Sequence, residues 1–79
     1  MYLCISGFLP HEPEDDLIKF ELDIDHSFND QIVQAFGHKS INVMAEGEWQ
    51  LTSEQVARIS EILGQNLPTD LKLFIGVEV

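Results

Sequence analysis

Carboxylates crowd residues 12–25 of this chain, and they are the side chains best suited to chemistry. Seven acids fall within those fourteen residues, accompanied only by Lys19. Such a run could hold a metal ion, exchange protons in acid–base catalysis, or pair with Lys and Arg side chains of another protein. It could also simply keep one surface solvated. We assign the run to partner binding, with candidate residues Glu12, Glu14, Asp15, Asp16, Glu21, Asp23 and Asp25.

Two segments have some features of metal sites. The pattern Asp-x-Asp-x-Ser from Asp23 is like the start of a calcium-binding loop, but Phe28 and Gln34 stand where that loop needs glycine and glutamate. His11 lies among acids that could join it around a divalent metal, yet no His-x-x-x-His or Cys-x-x-Cys spacing fixes a geometry. We therefore expect no metal and no other cofactor.

Few residues suggest catalysis. Cys4 has no glycine elbow or phosphate-binding loop around it, and we interpret it as a small packed strand residue. His26 and His38 flank a predicted helix, where a histidine serves the local backbone or stays solvated. Trp49 would anchor an interface if it were exposed, but in so small a domain we favour the core. We predict that the chain is not an enzyme.

Size and charge limit the function further. Seventy-nine residues suffice for one hydrophobic core, so we expect a single domain over residues 1–79. The net charge of −10 opposes direct binding to nucleic acid phosphates and anionic lipid and favours a basic partner. One cysteine cannot form an internal disulfide, and neither a secretion signal nor a membrane-length apolar run is present. We expect a cytoplasmic protein that does not enter membranes.

The first half of the chain predicts two strands and a helix. The β-forming run YLCISGF predicts a strand over residues 2–8, and the charged, proline-containing residues 11–16 predict a solvated loop. Residues 17–25 alternate, with apolar side chains at positions 18, 20, 22 and 24 on one face and charged ones on the other. A helix is predicted over residues 27–36, with Ser27 as N-cap and Gly37 beyond its end.

The second half predicts another helix between two strands. Residues 38–46 are compatible with a short strand or with irregular structure, and GEWQL then alternates as a strand does. A second helix begins at Thr52 or Ser53 with a Thr-x-x-Gln capping box and ends at Gly64. Residues 71–79 alternate again, with the odd-numbered apolar residues on one face.

The resulting order, β-β-α-β-α-β, predicts an α+β two-layer sandwich. We expect about four strands in a mostly antiparallel sheet, with both helices on its apolar face. The other face of the sheet is left to water or to a partner.

The chain resembles the small acidic α/β immunity proteins that bacteria encode beside toxin genes, including those of contact-dependent growth inhibition. The resemblance covers most of the chain. It involves Gly7-Phe8, the strand IKFELDID, Ala35-Phe36-Gly37, the passage WQLTSEQ and Phe74-Ile75-Gly76. It implies a protein without enzymatic activity that covers the active site, or a nearby surface, of a toxin domain, often a nuclease.

Two functional hypotheses follow. In the first, the chain is an immunity protein whose acidic surface binds a basic toxin domain, with charge speeding association and apolar contacts slowing release. In the second, it is a phage-type inhibitor, or nucleic-acid mimic, that covers the nucleic-acid-binding surface of a larger complex. A minor metabolic enzyme is a third alternative, motivated only by the α/β fold.

Overall fold

The computed structural model describes residues 1–10, 17–37 and 44–78. Four strands, a 3-10 turn and two α-helices lie in these ranges. In chain order they are β1 (Tyr2–Phe8), β2 (Phe20–Ile24), the 3-10 turn His26–Phe28, α1 (Asn29–Ala35), β3 (Trp49–Gln50), α2 (Ser53–Leu63) and β4 (Lys72–Glu78).

The strands form an antiparallel sheet in the order β2-β1-β4-β3. The first and last strands therefore pair at its centre, from Tyr2 opposite Glu78 to Phe8 opposite Lys72. Strand β2 flanks this pair with Cys4 opposite Asp23, and β3 flanks it on the other side with Trp49 opposite Ile75. The predicted α+β architecture with a four-stranded sheet is confirmed.

One face of the sheet carries the hydrophobic core. Opposite residues in a ladder point to the same side, so Leu3, Ile5 and Ile75 share a face, and all three are fully buried. Side chains of both helices join them there, with Ile32 from α1 and Ile59 from α2. Each fully buried aliphatic side chain contributes about 1.5–3 kcal/mol. Both helices thus pack on one side of the sheet, as expected.

Trp49 lies on the core side, as the sequence suggested. Its ring is partly buried against the hydrophobic cluster, and its indole N–H donates a hydrogen bond of 3.0 Å to the Met44 carbonyl. Met44 itself is fully buried. The polar end of the indole is therefore paired, and its apolar body fills the layer between sheet and helices.

Helix α2 has both of its predicted end signals. The Thr52 hydroxyl accepts a hydrogen bond from the Gln55 backbone N–H, and the Gln55 side chain accepts one from the Thr52 N–H. At the other end, Gly64 adopts φ 68°, a left-handed conformation that costs glycine little. These local signals fix the helix at Ser53–Leu63.

The predicted cap of the first helix is wrong. Ser27 is not the N-cap, because its N–H donates 2.9 Å to the carboxylate of Asp25, which caps a 3-10 turn. Helix α1 follows directly from Phe28, without a side-chain cap. Aspartate and serine are both good capping residues, and the chain turns two residues earlier than the serine suggested.

The second strand is shorter than its alternation predicted. Ile18, which we expected on the buried face, is 51% exposed, and Leu17 is 65% exposed. Strand β1 ends at Phe8, and the Lys19 N–H donates a hydrogen bond of 2.7 Å to the Gly7 carbonyl. Residues 17 and 18 lie beyond the described ladder between β1 and β2, so their apolar pattern does not lead to burial.

Several predictions concern segments at the limits of the described residues. The acidic loop 11–16, residues 38–43 with His38, and Val79 lie outside them. Residues 44–46 are not extended, which leaves Trp49–Gln50 as the strand of the GEWQL segment. Within the described ranges, the helices are too short and too polar to cross a bilayer.

Replacing Thr52 with alanine tests the capping box. The variant leaves the Gln55 N–H without its side-chain acceptor, so we expect Thr52→Ala to lower the free energy of unfolding by about 1 kcal/mol. Ser53→Ala is the matched control, because Ser53 is exposed at the first helical position. Urea unfolding monitored by Trp49 fluorescence measures both. Equal stability of the two variants would contradict the capping role.

Candidate cation-binding face

The side of the sheet away from the helices is the candidate site, and we call it the outer face. Its residues alternate with the core residues along each strand, and no described helix contributes to it. Tyr2, Ser6, Phe8, Phe74 and Gly76 are partly buried there, and the acids are exposed. The outer face consists of Tyr2, Cys4, Ser6, Phe8, Glu21, Asp23, Glu48, Gln50, Lys72, Phe74, Gly76 and Glu78.

Three carboxylates from two strands lie on this face. Glu21 and Asp23 extend from β2 opposite Ser6 and Cys4, and Glu78 lies on β4 opposite Tyr2. Their charges act together on the Tyr2 phenol, whose pKa is raised chiefly by Asp23, then by burial and by Glu78. Each of these carboxylates disfavours another negative charge nearby, so the surface is suited to a cation.

Glu48 adds a fourth carboxylate to the same face, from the edge of the sheet opposite to β2. It precedes β3 and lies beside Gly76, where a Cβ added to the glycine would come within 3.2 Å of the Glu48 Cγ. The absence of a side chain at position 76 therefore leaves room for the Glu48 side chain, which lies over the glycine.

Cys4 is buried, but on the outer face rather than in the core. Only 8% of it is exposed, and it lies opposite Asp23 and Gly76. Burial raises the pKa of the Cys4 thiol to about 11, and a hydrogen bond with the Asp23 carboxylate adds to the rise. The thiol therefore stays protonated at neutral pH, which makes it a poor nucleophile and confirms it as a packed strand residue.

The same thiol is close to two potential metal ligands. Ligand atoms of Cys4, Glu21 and Asp23 all lie within 4.8 Å of one another. A soft metal such as Zn²⁺ needs the thiolate, and the raised pKa opposes its formation. Exposed carboxylates on a strand are also suited to a surface that binds the Lys and Arg side chains of another protein. We interpret these three residues as part of that surface.

Asp25 directly follows β2 and has a structural role. Hydrogen bonds from the Ser27 N–H and the Ser27 hydroxyl lower the pKa of its carboxyl group, with a smaller effect from His26. It lines a shallow depression of about 390 Å³ with Tyr2, Asp23 and His26. Asp25 is therefore beside the outer face, but part of its hydrogen-bonding capacity is used within the chain.

Two aromatic rings lie next to the acids. Phe8 and Phe74 pack edge to face, with ring centroids 5.8 Å apart at 78°. The Lys72 ammonium lies 5.7 Å from the Phe74 ring centroid, within the range of a cation–π contact. The outer face thus offers a cation both carboxylates and an aromatic surface.

The structure brings together part of the site that the sequence predicted. Glu21 and Asp23 share the outer face, and Asp25 borders it. Glu12, Glu14, Asp15 and Asp16 lie outside the described residues, so their place in the site stays a prediction. Sequence reasoning missed Glu48 and Glu78, although each alternates with apolar neighbours in its strand and was therefore expected on a polar face.

Thiol reactivity tests the burial of Cys4. Because the pKa rises from 9.0 to about 11, the thiolate fraction at neutral pH falls about 100-fold. We expect the native thiol to react with Ellman's reagent at least about 100-fold more slowly than the same thiol in guanidinium-unfolded protein. Stopped-flow absorbance measures both rates. Comparable rates would mean that Cys4 is open to solvent.

The pH dependence of stability tests the Asp25 cap. A carboxyl group with a lowered folded-state pKa stabilises above its unfolded pKa, near the ordinary 3.8, and loses this effect as the pH falls through the folded pKa. We therefore expect Asp25→Ala to melt below the parent at about pH 7, with the difference shrinking below about pH 4. Asp70→Ala, at another exposed acid, is the control. A difference that persists at low pH would exclude the ionised cap.

The geometry and charge of the outer face are the basis for inferring a function. No family model, curated protein or solved structure matches the chain.

Proposed function

We propose that this protein binds a positively charged protein domain through its outer face and thereby blocks that domain's activity. The partner class we favour is a cognate bacterial toxin domain, such as a basic nuclease, which makes the chain an immunity protein acting in the cytoplasm. We infer the class of partner from the resemblance to immunity proteins, and we infer the binding surface from the positions of the acids.

One observation carries the proposal. Glu21, Asp23 and Glu78 reach the side of the sheet that no described helix covers, and together they raise the pKa of Tyr2. Like charges gathered on one face repel one another, and a bound cation relieves that repulsion. The Lys and Arg side chains of a basic nuclease cleft, which normally bind phosphates, would supply the positive charge.

The outer face also suits binding better than catalysis. Catalysis by Cys4 would need its thiolate, and the pKa of about 11 keeps the thiol protonated. The acids around it are exposed on a sheet rather than enclosed in a cleft. Pairing these carboxylates with Arg or Lys speeds association, and apolar contact with Phe8 and Phe74 slows release.

Charge removal on the outer face tests the proposal. Glu21→Gln, Asp23→Asn and Glu78→Gln, combined in one variant, remove three charges without changing side-chain size. We expect this variant to bind the partner about tenfold or more weakly, and with a smaller salt dependence, because up to three ion pairs are lost. The partner is first isolated from the source cell on the immobilised wild-type protein and identified by mass spectrometry, and affinities are then measured by calorimetry.

A second triple variant provides the control. Asp30→Asn, Glu54→Gln and Glu61→Gln remove the same number of charges from exposed positions on the two helices, on the other side of the sheet. We expect it to bind nearly as the wild type does. Equal losses in the two variants would show that net charge alone matters, and no loss in the outer-face variant would reject the surface. A captured host complex that binds nucleic acid would favour the inhibitor hypothesis over immunity.

A further inference from the structure

The centre of the outer face is a low floor between acids and an aromatic ring. One row across the sheet runs Glu21, Ser6, Phe74, and the next runs Asp23, Cys4, Gly76. Neighbouring strands lie about 4.8 Å apart, so the backbones of the β2 acids and of Phe74 are separated by about 10 Å. We call this floor and its borders the trough: Cys4, Ser6, Gly76, Glu21, Asp23 and Phe74.

The floor is low because its residues are small. Cys4 is almost fully buried, and Ser6 is a small side chain. A side chain entering from a partner can therefore descend over Ser6, between the β2 carboxylates and the Phe74 ring. Gly76 has no side chain of its own, but the Glu48 side chain lies over it, so that end of the floor is covered and negative.

Phe74 already attracts a cation within the chain. The Lys72 ammonium lies over its ring, 5.7 Å from the centroid, and Phe8 packs against the same residue with the two ring planes at 78°. The ring thus already attracts a positive group, and a cation from a partner must compete with Lys72 for it. This contact is independent of the carboxylates and indicates the same kind of ligand.

Building on the proposed function, we propose that the trough binds an arginine side chain of the basic partner. The guanidinium lies over Ser6, pairs with the carboxylates of Glu21 and Asp23, and stacks against Phe74. Arginine suits this arrangement better than lysine, because its planar group can form two parallel hydrogen bonds with a carboxylate and can stack on a ring. An ammonium group pairs with the acids but uses the ring less well.

Two peptides of equal length and charge provide the test, one an arginine–glycine repeat and the other a lysine–glycine repeat. We expect the full chain to bind the arginine peptide about two- to fivefold more tightly, the range of an exposed cation–π contact. Titration followed by amide NMR gives both affinities. The arginine peptide should shift the amides of Ser6 and Gly76 more than the lysine peptide does.

Substitution of Phe74 separates stacking from charge. Phe74→Leu keeps an apolar side chain and the net charge, so we expect it to bind both peptides equally, and no more tightly than the wild type binds the lysine peptide. Phe74→Tyr retains the ring and should retain the arginine preference. Circular dichroism and melting temperature establish that each variant is folded. If Phe74→Leu does not fold, the NMR comparison on the wild-type chain decides the question.

The outcomes distinguish this inference from the proposed function. If Glu21→Gln with Asp23→Asn weakens both peptides equally, while the wild type shows no arginine preference, the acidic surface stands and the arginine site is wrong. An arginine preference that survives in Phe74→Leu also overturns it. If the two carboxylate changes weaken neither peptide, the proposed function itself fails.

Discussion

The antiparallel pairing of the first and last strands is the interaction on which the rest of the molecule depends. Strands β1 and β4 lie side by side over seven residue pairs, and every other element is arranged around them. Because side chains alternate along a strand, this register decides which residues of both strands face the helices. A one-residue shift of β4 against β1 would turn Ile75 to the outer face and Glu78 to the core, while Leu3 and Ile5 stayed on the core side. The burial of those three aliphatic side chains therefore fixes the outer face too.

Among the described residues, one side of the sheet is left without a helix because both helices pack on the other side. Both helices place their buried residues, Ile32 and Val33 from α1 and Ile59 from α2, in the same cluster. An antiparallel sheet tolerates one solvated face, and charged side chains are one way to keep such a face from pairing with other chains. Here four acids share the face with one cation, Lys72, and Lys19 lies just before β2. The acids therefore repel one another more than evenly mixed charges would.

The features most accurately predicted from sequence are those set by neighbours in the chain. Strand β1 has the predicted bounds, and α2 begins and ends at the predicted capping box and left-handed glycine. Ile18 and Ser27 were misjudged because the burial of one depends on how far β1 extends, and the role of the other on competition from a nearby aspartate. The acids of the candidate site likewise fall into those set by neighbours in the chain and those set by long-range pairing. Glu21 and Asp23 alternate on one strand and could be found, whereas Glu78 joins them only through the long-range pairing of β2 and β4 on either side of β1.

Charge and shape make different contributions to recognition on such a face. Carboxylates act over about a Debye length, so they attract many basic surfaces and mainly raise the rate of encounter. In the proposed complex, contacts with Phe74, Phe8 and Ser6 need close approach and a particular side-chain geometry, so they would govern how long the complex lasts. The uncharged residues would then select the partner, and the acids would raise the rate at which it arrives.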